Sequence, residues 1–155
     1  MTERIKLSVL GGSALATPLL FDAMGSLGAK NKYSVSLFGQ DEQKLELVKS
    51  FSQAVLADHP GLDIQVETTS NPEKAMEGSN FILNQIRVGG LKGRLFDETF
   101  PRQFGIPGEE TVGPGGFSNS VRGIPIILDY CRMAEKSAPN AIFLNLSNPS
   151  RSIQY

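Results

Sequence analysis

Cysteine and histidine are almost absent from this sequence: Cys131 and His59 are the sole representatives in 155 residues. A lone cysteine excludes an internal disulfide and fits a reducing, cytoplasmic setting. The same scarcity leaves few soft or imidazole ligands for a metal site of the usual kinds. An excess of either charge is also missing. Lys and Arg number 15 against 16 Asp and Glu, for a net charge of −1. That balance argues against a nucleic-acid binder driven by phosphate neutralisation. No apolar run approaches the ~20 residues that a membrane-spanning helix needs, so no membrane role is expected. The opening Met1-Thr2-Glu3-Arg4 runs straight into a strand pattern and shows no signal peptide. There is no internal repeat, low-complexity tract or linker. What is present is the composition of an ordinary globular chain, 40% hydrophobic and 20% charged. Its length suits one domain, residues 1–155, with a single core.

The apolar patterning alternates between strand and helix. Ile5 to Leu10 reads as a short buried strand, followed without a spacer by a glycine turn. Thr17 is placed to cap a helix over Pro18 to Gly28, with Pro18 its first residue. Tyr33 to Phe38 reads as a second strand, Asp41 to Asp58 as a long helix ended by His59-Pro60-Gly61, and Leu62 to Thr68 as a third strand. A short helix from Asn71 to about Gly78 precedes a fourth strand, Phe81 to Gln85. Val88 to Phe104 reads as a helix, Ile106 to Gly116 as irregular, and Ser118 to Ser137 as a long helix kinked or opened near Pro125. Cys131 falls in the apolar pattern of that helix and reads as a packed thiol. Ala141 to Leu146 is the fifth strand, left by the polar turn Ser147-Asn148-Pro149-Ser150. This alternation predicts an α/β fold: a doubly wound parallel sheet, Rossmann-like, with helices on both faces and right-handed crossovers.

Two stretches carry chemistry. The first is Gly11-Gly12-Ser13-Ala14-Leu15-Ala16, a strand-to-helix turn of the kind that brings backbone close to a dinucleotide pyrophosphate. Against G-x-G-x-x-G/A it keeps Gly11, puts Ser13 at the second glycine and Ala16 at the third position. An acid at the end of the second strand would hold the adenosine ribose. The expected place holds Gly39, and Asp41 lies two residues later. Asp41 can substitute only if the loop bends suitably; capping the following helix is its competing role. A tight turn that binds nothing also fits these residues.

The second stretch is Asn80 to Pro114, NFILNQIRVGGLKGRLFDETFPRQFGIPGEETVGP. A buried strand turns abruptly polar at Gln85-Ile86-Arg87. Gly89 and Gly90 follow, and then Arg94, Asp97, Glu98, Arg102, Glu109 and Glu110 crowd together. Such a change reads as a chain leaving the rim of a sheet at a site, or else as a solvated amphipathic helix. An arginine there can grip a phosphate or paired sugar oxygens through its fixed fork of donors.

This stretch, followed by a helix and then LNLSNPS, resembles glycoside hydrolase family 4, which contains the NAD- and divalent-metal-dependent 6-phospho-glucosidases, including 6-phospho-beta-glucosidases. The resemblance spans essentially the whole chain and matches only the amino-terminal, NAD-binding part of the family. Its glycine and SNP turns are shared with lactate and malate dehydrogenases, whose NAD-binding domain is of similar fold. The resemblance implies a glycosidase that works by hydride abstraction at C3 of the sugar and elimination, in place of two flanking carboxylates. It places Gly11, Gly12 and Ser13 on the cofactor-phosphate turn, with Asp41 as the remaining acid. It places Arg87 and Asn148 on substrate beside the nicotinamide, with Arg94, Glu109 and Glu110 near the site. Asn148 can both donate to and accept from a sugar hydroxyl; its competing role is the turn before Pro149.

The same resemblance implies a phospho-sugar or related glycoside as substrate, a homo-oligomer, and manganese bound only by a carboxy-terminal part that this chain lacks. No catalytic residue and no metal ligand is expected within these 155 residues, so the chain taken alone is expected to be inactive. Ser13 stands where the family has a third glycine and Gly39 where it has an acid, which leaves the choice between NAD and NADP open. Two other readings stay open: a lactate/malate-type 2-hydroxy-acid dehydrogenase domain, and a non-catalytic nucleotide-binding module.

Overall fold

A computed structural model describes residues 4–154 of the chain. Strands and helices alternate as β1 (Ile5–Leu10), α1 (Thr17–Ser26), β2 (Lys32–Phe38), α2 (Glu42–Ala57), β3 (Asp63–Thr69), α3 (Pro72–Met76), β4 (Phe81–Asn84), α4 (Gly90–Thr99), α5 (Gly113–Ser137), β5 (Ile142–Asn145) and α6 (Ser150–Gln154). The strands form one five-stranded parallel sheet in the order β3-β2-β1-β4-β5. β1 sits in register with β2 from Ile5 opposite Tyr33 to Leu10 opposite Phe38, and with β4 from Leu7 opposite Phe81 to Leu10 opposite Asn84. Strand order therefore reverses between β1 and β4, the doubly wound arrangement in which ligands bind beyond the carboxyl ends of the strands.

The described residues divide into two compact units, 4–84 with 133–144, and 85–132 with 145–154. In the first, successive residues of β1 face opposite sides of the sheet. Val9 packs with Phe21 of α1, Val35 and Leu37 of β2, and Leu45 and Val48 of α2 in one fully or nearly buried cluster. Ser8 points the other way and donates from Oγ to the Ala75 carbonyl of α3, while also bonding Ser79 Oγ. The buried serine of this strand is thus satisfied by a helix end. α2 starts as the sequence predicts: Asp41 is its N-cap, with Oδ1 accepting from the Lys44 N–H at 3.0 Å. Asn71 caps α3 in the same way.

α1 departs from expectation. Ala16 occupies the N-cap position in an already helical conformation, without a side-chain cap, and Thr17 is the first helical residue and buried. Pro18 explains this start, because its fixed φ suits the first turn and its missing N–H needs no partner there.

In the second unit the helix expected to reach Phe104 ends at Thr99 and tightens into a 3-10 turn over Phe100–Phe104, where Pro101 lacks the N–H that an α-helix would use. α5 begins at Gly113, inside the stretch expected to be irregular, since Pro114 is tolerated in a first turn. It continues to Ser137 with Pro125 inside it. Cys131 on this helix is only half-buried. No described helix is long and apolar enough to cross a membrane.

Candidate functional site

In the first unit the site is the turn that leaves β1. Gly11 takes φ 88°, a left-handed conformation that glycine adopts without cost. The N–H groups of Gly11 and Gly12 both donate to the Phe38 carbonyl, at 3.0 and 2.7 Å. The turn is therefore pinned to the end of β2. A Cβ on Gly12 would stand 2.7 Å from Leu37 Cβ, so residue 12 has to be glycine for the backbone to pass this close. Gly11 and Gly12 thus let the backbone run close against the end of β2, with both of their N–H groups taken up by the Phe38 carbonyl.

Ser13 and Gly39 meet at the rim of this turn. Gly39 is buried, and a Cβ there would lie 3.0 Å from Ser13 Oγ. Asp41 is exposed and engaged as the α2 cap, with Lys44 Nζ 3.3 Å from its other oxygen. The Lys44 backbone N–H, helped by the Lys44 charge, holds the Asp41 carboxyl below its ordinary range.

In the second unit Arg87, Arg94 and Glu110 come together as the sequence suggests. Arg87 Nη1 donates to Glu110 Oε2 at 2.5 Å, and Arg94 Nε lies 3.5 Å from the same oxygen. Arg94 Nε also donates to Glu98 Oε1 at 2.7 Å. That bond, with the Glu110 and Glu98 charges, raises the Arg94 pKa. Glu110 is 16% exposed and so sits beneath two guanidinium groups, while Arg87, at 42%, keeps a solvent-facing side. Glu109 is exposed and outside this cluster.

Asn148 joins Arg87 in lining a cavity of about 100 Å³. Two residues not singled out in the sequence hold that arrangement. Ser147 Oγ donates to the Ile86 carbonyl at 2.8 Å, tying the SNP turn to the segment carrying Arg87. Asn119 donates from Nδ2 to the carbonyls of Asn148 at 3.3 Å and Glu110 at 3.2 Å. Asn119 carries no sequence signal and Ser147 only its place in the SNP turn, because their value lies in backbone carbonyls brought to them by the fold. Arg122 was also missed. It donates from Nε to the Val88 carbonyl at 2.9 Å and pairs with Asp97.

Among the described residues no three His, Cys, Asp or Glu side chains lie together as a metal would need. His59 Nε2 is instead 3.0 Å from Asp22 Oδ1.

The family described as family 4 glycosyl hydrolase matches residues 6–153. A probable 6-phospho-beta-glucosidase of Bacillus subtilis is 32% identical over 154 residues, an overlap that takes in 97% of this chain and 34% of the relative. The solved 6-phospho-beta-glucosidase of Thermotoga maritima with NAD and glucose-6-phosphate superposes at TM-score 0.86 and 32% identity, over 94% of this chain and 35% of that one. A solved 6-phospho-alpha-glucosidase from gut microorganisms, in complex with NAD and Mn2+, superposes at TM-score 0.89 and 25% identity, over 98% of this chain and 35% of that one. The chain thus spans about a third of the length of the curated relatives it matches.

Proposed function

Since this chain belongs to glycosyl hydrolase family 4, we propose that it is the NAD-binding part of a 6-phospho-glucosidase whose metal-binding part lies elsewhere in the enzyme. The observation that carries this reading is that Arg87 and Asn148, far apart in sequence, line one cavity. The bound dinucleotide would supply a reversible hydride acceptor for C3 of a phosphorylated glycoside. The chain's own residues bind and orient. The Gly11-Gly12-Ser13 turn lets the pyrophosphate come close to backbone; the Gly11 and Gly12 N–H groups are held by the Phe38 carbonyl, so donors for it come from the residues that lead into α1. Arg87, fixed on one side by Glu110, presents its remaining donors to a phosphate or a pair of sugar oxygens. Asn148 is exposed and offers an amide that both donates and accepts. Asp41 keeps its capping role and reaches ribose only if that cap opens. We read the enzyme as a cytoplasmic homo-oligomer.

Titration of the chain with NAD and, separately, with glucose 6-phosphate tests this, followed by protein NMR. NAD should shift the resonances of residues 11–13 with a dissociation constant weaker than about micromolar, because the family's acid at position 39 is absent. Glucose 6-phosphate should shift those of residues 85–88 and 147–148. An unchanged spectrum with both ligands overturns the reading.

A further inference from the structure

Ser13 and Gly39 are the two places where the cofactor turn departs from the expected pattern, and the fold puts them against each other. Gly39 follows β2 directly, with its N–H bonded to the Thr69 carbonyl at 3.3 Å. That is the position from which an acidic side chain would hold the adenosine ribose hydroxyls and, by its charge, turn away a 2′-phosphate. A Cβ at residue 39 would meet Ser13 Oγ at 3.0 Å and the Leu45 side chain at 3.2 and 3.3 Å. Leu45 is 1% exposed and belongs to the core, so it has little room to yield. The serine hydroxyl therefore crowds the Cβ of any side chain at 39 and would have to turn or give way to admit an acid there, whereas glycine at 39 leaves it undisturbed.

The opposite selector is missing as well. NADP-binding turns recruit an arginine for the 2′-phosphate, whereas residues 39–44 read Gly-Gln-Asp-Glu-Gln-Lys without one. The charged groups of this turn are already engaged: Lys44 with Asp41, and Glu42 with Ser70 Oγ. Glu46, a turn further along, accepts from Thr68 Oγ1.

Resting on the dinucleotide-binding reading above, we propose that the Ser13–Gly39 pair makes this turn indifferent to the 2′ substituent. It accepts dinucleotides with a ribose 2′-hydroxyl or a 2′-phosphate alike. The two residues act as one unit, so selectivity for NAD returns only when both are changed.

The test compares four proteins: the wild-type chain, Ser13→Gly, Gly39→Asp and the double variant. Each is titrated with NAD and NADP by protein NMR, which reads millimolar affinities, and each is melted. The wild type should bind the two nucleotides with dissociation constants within about threefold of each other. Gly39→Asp alone should lower the melting temperature, because its Cβ is forced against Ser13 and Leu45. Adding Ser13→Gly should recover part of that loss and favour NAD by about tenfold or more, a difference near 1.4 kcal/mol. A wild type that already prefers either nucleotide tenfold overturns the proposal and leaves the cofactor reading intact, even if the variants fail to fold. So does a Gly39→Asp protein that becomes selective at full stability, with Ser13→Gly adding nothing. Absence of binding by either nucleotide to all four proteins overturns the cofactor reading and this proposal with it.

Discussion

Arg122 lays its guanidinium across the Asp97 carboxylate, with Nη2 2.5 Å from Oδ2 and Nη1 3.2 Å from Oδ1. Asp97 is fully buried, and the Arg122 side chain is 26% exposed. Two glycines make the slot. A Cβ on Gly89 would stand 2.8 Å from Arg122 Nε, and one on Gly93 would stand 3.1 Å from Cζ. The Gly-Gly-Leu-Lys-Gly run that opens α4 is therefore a surface cut for an arginine from α5. That arginine in turn holds the Val88 carbonyl, one residue beyond Arg87.

Arg122→Leu should destabilise the chain by about 3 kcal/mol, since a buried carboxylate left without its partner costs that much or more. Gly93→Ala should destabilise less, because the guanidinium can shift a few tenths of an ångström. Urea unfolding of both variants checks this. A loss below about 1 kcal/mol for Arg122→Leu would place the pair among exposed ion pairs of little energetic weight.

Arg87→Lys separates binding from scaffolding. In the glucosidase proposed for this chain, kcat/KM should fall about tenfold or more, as expected when a charge-assisted contact of roughly 1.5–3 kcal/mol is misplaced. The melting temperature should change little, because the Arg87–Glu110 pair is partly exposed. Unchanged kinetics with a lowered melting temperature would mean that Arg87 only ties down Glu110.

Acid should weaken the fold through exposed carboxylates. Asp63 lies 2.6 Å from Arg4 Nη2 and 3.5 Å from Lys32 Nζ. The Arg4 hydrogen bond holds its carboxyl below the ordinary value of 3.8, and the Lys44 N–H does the same for Asp41. Both pKa values fall on folding, so the stabilisation is fully present above the ordinary value and is lost as pH drops through the lower, folded one. Asp63→Asn should therefore flatten the dependence of melting temperature on pH below about 4. A variant as acid-sensitive as the wild type would contradict this.

Self-association is expected from the second unit. Leu91 (78% exposed), Phe104 (73%), Phe117 (72%) and Leu146 (67%) are large apolar side chains left in solvent there. Pairing of two copies would take such side chains out of water. Light scattering should show mass rising with concentration, and Phe117→Ser should reduce the rise. A clean monomer at millimolar concentration is the contrary result.

The sequence by itself determined the five strands, the helices between them and their order, but not the short helix α6. β1, from Ile5 to Leu10, and the α2 helix between Asp41 and Asp58 follow from local causes: alternating or helical apolar spacing, a capping aspartate and a Pro-Gly stop. The meeting of Arg87, Arg94 and Glu110 was legible because they crowd into one segment beside glycines. Where local rules compete, the reading failed: Thr17 lost the cap position to Ala16, and α5 starts at Gly113, inside a stretch read as irregular.

Only the tertiary structure decided the pairings across distance. Arg122 came to Asp97, Asn119 to the carbonyls of Glu110 and Asn148, Ser147 to Ile86, and Ser13 to Gly39. Each depends on a group brought near by the course of the backbone rather than by neighbours in the chain. A backbone carbonyl or the empty space beside a glycine has no signature in residue type, so periodicity and motif spacing cannot reveal which side chain will fill it.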